Sequence, residues 1–171
     1  MRDWLTDTGS LTRKLMDRST HFHVSLLRQA QRICLADEYA VVGLRRRLCV
    51  MEREVVLECD GRPTVYAHSI VPLDATASDW PFFATLGERA LGSTLFGDPR
   101  VMRGAMEYAR LHTRHPLMRR AAAALGKEID GPLYARRCLY KRKNGVLLVT
   151  EVFLPAITDM PHQRIYKKST E

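Results

Sequence analysis

Hydrophobic and polar positions along the chain follow two periods. Leu11, Leu15 and Met16 recur at helical spacing and predict a helix over 9–18, with Thr8 or Ser10 as its cap. From Phe22 the period drops to two. Phe22, Val24 and Leu26 alternate with His23 and Ser25, which predicts a strand. The stretch "RRLCVMEREVVLECDGRPTVYAHSIVPL" predicts strands at 46–59 and 62–72 about a tight Asp-Gly turn. Helical signals follow. "PFFATLGERALGSTLF" reads as a short helix, a Gly-punctuated loop and a further turn. "DPRVMRGAMEYARLH" reads as a helix with Asp98 as N-cap and Pro99 at its first position. "HPLMRRAAAALG" reads as another, stopped by Gly126. A second hairpin, "YARRCLYKRKNGVLLVTEVFLP", turns at Asn144-Gly145, and Pro155 ends its last strand. Strands, then helices, then strands predict an α+β domain built on an antiparallel sheet.

Two charges interrupt the apolar faces of these strands. Odd positions of the strand near 50–58 carry Met51, Arg53, Val55 and Leu57, so Arg53 points toward the core. Even positions carry Val50, Glu52, Glu54, Val56 and Glu58, which reads as a solvent face. In "NGVLLVTEVFLPA", Glu151 shares its face with Leu147, Val149 and Phe153, while Leu148, Val152 and Leu154 make the other face apolar too. A buried charge is costly unless it is paired, hydrogen-bonded or neutralised. Two readings stand on pattern alone. One is a buried Arg53–Glu151 salt bridge. The other is an apolar cavity with a cationic and an acidic end, where the guanidinium fork matches a carboxylate and the carboxyl holds or donates a proton.

Length and composition narrow the field. A chain of 171 residues with 46% hydrophobic content suits a single domain over 1–171, its last fifteen or so residues forming a loose tail. No apolar run approaches the roughly 18 residues of a membrane span, and the N-terminus carries no apolar signal core, so a cytoplasmic protein without an integral membrane segment is expected. Cys34, Cys49, Cys59 and Cys138 have no C-x-x-C spacing and read as reduced, mostly buried thiols with no zinc. His21 with His23, and His112 with His115, could each supply two metal ligands but lack a third, so they read as surface or capping histidines. Arg28 reads as a strand-end cation reaching solvent.

The net charge of +8 suits a nucleic acid or a small anion. The basic residues are dispersed and no helix-turn-helix or aromatic-rich RNA motif accompanies them, so no nucleic-acid partner is expected. Walker, G-x-G-x-x-G, G-x-S-x-G and H-E-x-x-H motifs are absent from the sequence, which argues against nucleotide cofactors and nucleophilic serine chemistry. With no long apolar helix stripe to dock, a monomer is expected.

Five stretches in order resemble the bacterial chorismate lyases of ubiquinone biosynthesis. They are "DWLTDTGSLTRKL", "MEREVVLECDGRP", "SIVPL", "LGERALGSTLF" and "LLVTEVFLP". The resemblance implies an antiparallel sheet with helices on one side, covering an internal ligand cavity beneath helical flaps. It implies conversion of chorismate to 4-hydroxybenzoate and pyruvate, the first committed step of that pathway, with no metal and no organic cofactor. Carried over by position, the carboxylate-binding arginine falls on Arg53, and the acid at the other end of the ring, facing the C4 oxygen, on Glu151. The backbone amide that helps hold the ring carboxylate falls on Leu91, and a ligand-contacting flap residue, often Met, on Leu11. Arg53 is preceded by Glu52 where the family more often has Leu. The alternative is a non-catalytic small-anion-binding module, related to the effector-sensing domains of transcription regulators, with a DNA-binding domain upstream. That reading has no need of both Arg53 and Glu151.

Overall fold

A computed structural model describes residues 1–162. The strands are β1 (Phe22–Ile33), β2 (Cys49–Cys59), β3 (Arg62–Pro72), β4 (Val101–Leu111), β5 (Leu133–Arg142) and β6 (Gly145–Phe153). They form one antiparallel sheet in the order β1-β2-β3-β6-β5-β4. The helices are α1 (Arg2–Thr6), α2 (Leu11–Asp17), α3 (Leu73–Thr76), α4 (Leu91–Gly97) and α5 (Pro116–Leu125). The α+β class and the first hairpin stand as expected. Asp60 and Gly61 take φ of 51° and 74° at the β2–β3 turn, and the Asp60 carboxylate accepts from the Thr20 and His21 amides.

The β3–β6 pairing joins the two hairpins and sets the functional register. It places Ala67 opposite Glu151 and Ser69 opposite Val149, while Arg53 of β2 lies opposite Ser69. One face of the sheet is covered by Trp4, Leu11 and Leu15 of α1 and α2, packed on Val55, Leu57, Ala67 and Phe153. The other carries Leu117, Met118 and Ala121 of α5 against Val56, Tyr66 and Val152. Helices cover the cavity face as anticipated, and α5 adds a second cover behind the sheet.

Three local expectations are corrected. The segment 101–111 is the edge strand β4, not a helix. Its register slips between Arg103 and Met106, and this bulge breaks the alternation by which a strand is read. Gly104 sits in the bulge, where an added Cβ would lie 2.9 Å from the Leu139 carbonyl oxygen. The second hairpin turns at Lys143-Asn144, with Lys143 at φ 54° and Arg142 paired with Gly145. Gly145 instead allows close approach, since a Cβ there would meet Asp79 and Ala75 within 2.8 Å.

The third correction concerns Glu52 and Glu54, which are buried rather than solvated. They face Arg120 of α5, whose Nη1 donates to Glu52 at 2.9 Å and to Glu54 at 2.6 Å. His68 completes the network, 2.8 Å from Glu38 and 3.6 Å from Glu54. A helix laid over this face hides the carboxylates, and its own cation makes their burial tolerable.

Among the weaker candidates, His115 is the N-cap of α5, its Nδ1 accepting from the Leu117 amide. His21, His23, His112 and Arg28 are exposed. The four thiols are unpaired, and all but Cys49 are buried. Pro155–Asp159 forms a 3-10 turn that buries Ile157, and the rest of the expected tail, 163–171, lies outside the described residues. Among the described residues no helix is long and apolar enough to cross a membrane.

Candidate functional site

The sheet face under α2 and α4 encloses a cavity of about 40 Å³, and Arg53, Glu151, Leu91 and Leu11 all line it. Arg53 and Glu151 stand out in the strand pattern, Leu91 and Leu11 come from the family resemblance, and the fold brings all four to one cavity.

Arg53 is 2% exposed. Its Nη2 donates to the carbonyl oxygens of Gly87 at 2.7 Å and Arg89 at 2.9 Å, while its Nε has no partner. No carboxylate pairs with it among the described residues. Burial draws the guanidinium down to about 10, so it stays charged at neutral pH. The loop carbonyls aim the fork but supply no counter-charge. A buried cation left this way suits an anionic group of a ligand.

The salt-bridge reading of Arg53 with Glu151 does not hold. Strand spacing and rise put their Cα positions roughly 12 Å apart, two strands across and two residues along. Glu151 pairs instead with Arg136 of β5, directly opposite, at 2.6 Å from Nε to Oε2. Arg136 is itself 2% exposed. Its Nη1 donates to the carbonyls of Trp4 at 3.1 Å and Asp7 at 2.7 Å, at and just past the C-terminal end of α1. The carboxyl therefore sits in an ionic cradle rather than in purely apolar surroundings.

Arg103, Arg136, Tyr140 and Ser69 also line the cavity and were missed. Arg136 stands in the sequence only as half of an Arg-Arg pair and Arg103 as a lone arginine in the segment read as a helix; a correct hairpin register would have found Arg136. Tyr140 has its hydroxyl pushed upward by burial first and by neighbouring Cys138 and Glu151 next.

The roof is a seam between two short helices. A Cβ added to Gly92 of α4 would lie 2.6 Å from Thr12 Oγ1 of α2. At about 40 Å³ the cavity is smaller than the roughly 150 Å³ of cavities that take up benzene.

Behind the sheet, ligand atoms of Glu52, Glu54 and His68 come within 4.8 Å of one another, a spacing a metal could use. The Arg120 guanidinium already holds both carboxylates, so the cluster reads as an ion-pair network.

A family model described as chorismate lyase matches residues 1–164. A "Probable chorismate pyruvate-lyase" of Ralstonia nicotianae is 48% identical over 157 residues, covering 90% of this chain and 80% of that protein. A protein of the same name from Methylobacillus flagellatus is 39% identical over 160 residues, covering 94% and 89%. Among solved structures, the effector domain of PhnF from Mycobacterium smegmatis superposes with a TM-score of 0.56 at 14% identity, covering 87% of this chain and 90% of that one. A GntR-family transcriptional regulator from Bacillus cereus gives 0.61 at 8% identity, covering 86% and 100%. At such identities the structural likeness is one of fold alone.

Proposed function

Because the chain belongs to the chorismate lyase family, we propose that it converts chorismate to 4-hydroxybenzoate and pyruvate in this cavity, widened around the substrate, using protein groups alone. The observation that carries this reading is the buried Arg53, without a carboxylate partner among the described residues, in one cavity with Glu151.

Chorismate carries a ring carboxylate at C1, an enolpyruvyl ether at C3 and a hydroxyl at C4. The C4 proton passes to a base and on to the ether oxygen as its bond to C3 breaks, so the ring becomes aromatic and the enol released tautomerises to pyruvate. The driving force lies in the substrate, so the protein contributes orientation, proton handling and exclusion of water.

Arg53 takes the ring carboxylate, with the Leu91 amide at the start of α4 as a second donor. Glu151 faces the C4 oxygen. Its contact with Arg136 fixes the carboxylate beside the C4 carbon, where it accepts a hydrogen bond from the hydroxyl and handles the proton lost from C4. Arg136 is a positioning residue that fixes the Glu151 rotamer. Leu11 packs on the ring from the roof. Closure of α2 over α4 removes water, and their parting sets the rate of product release.

The test is incubation of the purified protein with chorismate in the presence of a chelator. Equal amounts of 4-hydroxybenzoate and pyruvate, above the spontaneous background, support the reading. Binding of 4-hydroxybenzoate without turnover would leave a binding module.

A further inference from the structure

We propose that Arg103 is the subsite for the second carboxylate of the substrate, the one on the enolpyruvyl side chain, and so separates substrate from product. The inference rests on the lyase reading for the identity of the dianion, and on the cavity's charge for the site.

The charged lining of the cavity comprises the three guanidiniums of Arg53, Arg103 and Arg136 against the single carboxylate of Glu151, with the neutral Tyr140 hydroxyl beside them. Arg136 is matched by Glu151. That leaves an excess of two positive charges, on Arg53 and Arg103, neither of which has a carboxylate partner among the described residues. A dianion neutralises this excess and a monoanion neutralises half of it. Chorismate carries two carboxylates, whereas 4-hydroxybenzoate and pyruvate carry one each. With Arg53 assigned to the ring carboxylate, Arg103 is the cation left for the other.

Local structure aims Arg103 at this task. It sits at the β4 bulge, where the register slip re-aims the strand beside the cavity. Its guanidinium lies 5.7 Å from the Phe96 ring of α4, and its Nη1 donates to the Thr8 carbonyl between α1 and α2. Arg103 therefore touches both halves of the roof, and it is half-buried where Arg53 is sealed. A carboxylate held there lies at the seam through which ligands pass. Once the C3–O bond breaks, the pyruvate fragment sits nearest the exit and the ring remains inside on Arg53.

The experiment compares wild-type protein with Arg103→Gln and Arg103→Lys, each checked for fold by circular dichroism. Two binding probes are used besides turnover: 4-hydroxybenzoate, and the unreactive dianion 3-(carboxymethoxy)-4-hydroxybenzoate. For Arg103→Gln, KM for chorismate and Kd for the dianion are expected to rise about tenfold or more, the loss of a charge-assisted hydrogen bond. The Kd for 4-hydroxybenzoate is expected to move less than about threefold, below 1 kcal/mol. Arg103→Lys, which keeps the charge without the fork, is expected to fall between. Equal loss of both probes would assign Arg103 to roof closure and overturn the proposal, as would no loss of either. Selective loss of the dianion with no wild-type turnover of chorismate would sustain the subsite and reject only the lyase reading. If neither variant folds, the wild-type protein decides: a dianion bound no more tightly than 4-hydroxybenzoate contradicts the proposal.

Discussion

Arg136 and Glu151 face each other across β5 and β6, 2.6 Å apart, and the arginine also binds the end of α1 through the Trp4 and Asp7 carbonyls. One buried side chain thus ties the roof segment to the carboxylate it covers. Arg136→Gln is expected to lower kcat by about tenfold or more, the loss of a charge-assisted hydrogen bond. Its affinity for 4-hydroxybenzoate, here assigned to Arg53, is expected to change little. Steady-state kinetics with product titration check this, and an equal loss of kcat and product affinity would assign Arg136 to general stability.

Arg53→Ala removes the cation assigned to the ring carboxylate. The expected cost in 4-hydroxybenzoate affinity is about 2–5 kcal/mol, as for truncating one side of a buried charge pair. Calorimetric titration reads this directly. Unchanged affinity would remove Arg53 from carboxylate binding.

Gly92→Ala places a methyl group 2.6 Å from Thr12 Oγ1 in the roof seam. Overpacking of this kind costs about 1–3 kcal/mol, here charged to the closed state. Release of 4-hydroxybenzoate is therefore expected to quicken about tenfold. Stopped-flow displacement measures it, and an unaltered off-rate would mean that α2 and α4 do not part during release.

Behind the sheet, His68 links pH to stability. Its complete burial alone would lower its pKa, but Glu38 and Glu54 outweigh that and raise it to about 9. The His68 Nε2 lies 2.8 Å from Glu38 Oε1 without good hydrogen-bond geometry, so charge dominates the contact. Glu52 and Arg120 face the same space, and the Tyr66 hydroxyl adjoins Glu54. A raised folded-state pKa gives stability that is fully present below about 6.5 and is lost as pH climbs through about 9. The melting temperature is expected to fall over that window, and His68→Gln is expected to flatten the fall. Glu54, which burial alone would raise, is lowered from 4.5 to about 2 by His68 and other partners, and contributes stability present above about 4.5 and lost as pH falls through about 2. A wild-type melting curve indifferent to pH between 6.5 and 9 would remove His68 as the titrating group.

Much of this was legible in the chain because two-residue alternation survives wherever a strand has one apolar face. β1 shows it in Phe22, Val24 and Leu26, and β2 in Met51, Val55 and Leu57, which turns Arg53 inward; in β6, apolar on both faces, Glu151 stands out as the one charge in the run. Illegible features depended on what lies across the sheet. Nothing in "MEREVV" tells that α5 will cover Glu52 and Glu54, because the covering Arg120 is 66 residues and more away. The β4 bulge erased alternation at Gly104 and left only a helix-like start at Asp98-Pro99. The turn mattered most. Read at Asn144-Gly145, a two-residue hairpin would set Cys138 opposite Glu151. Turning one residue earlier sets Arg136 there and changes an isolated carboxyl into a paired one.

The proton exchange proposed for Glu151 is the central claim. The most direct test measures 4-hydroxybenzoate and pyruvate formed from chorismate by wild-type protein and by Glu151→Gln, with product binding measured on the same samples. Wild-type protein is expected to release both in equal amounts, and the variant to bind 4-hydroxybenzoate yet lose most turnover, by a factor of about 100 or more as for a proton-transferring group. Near wild-type turnover in the variant would contradict the assignment of Glu151.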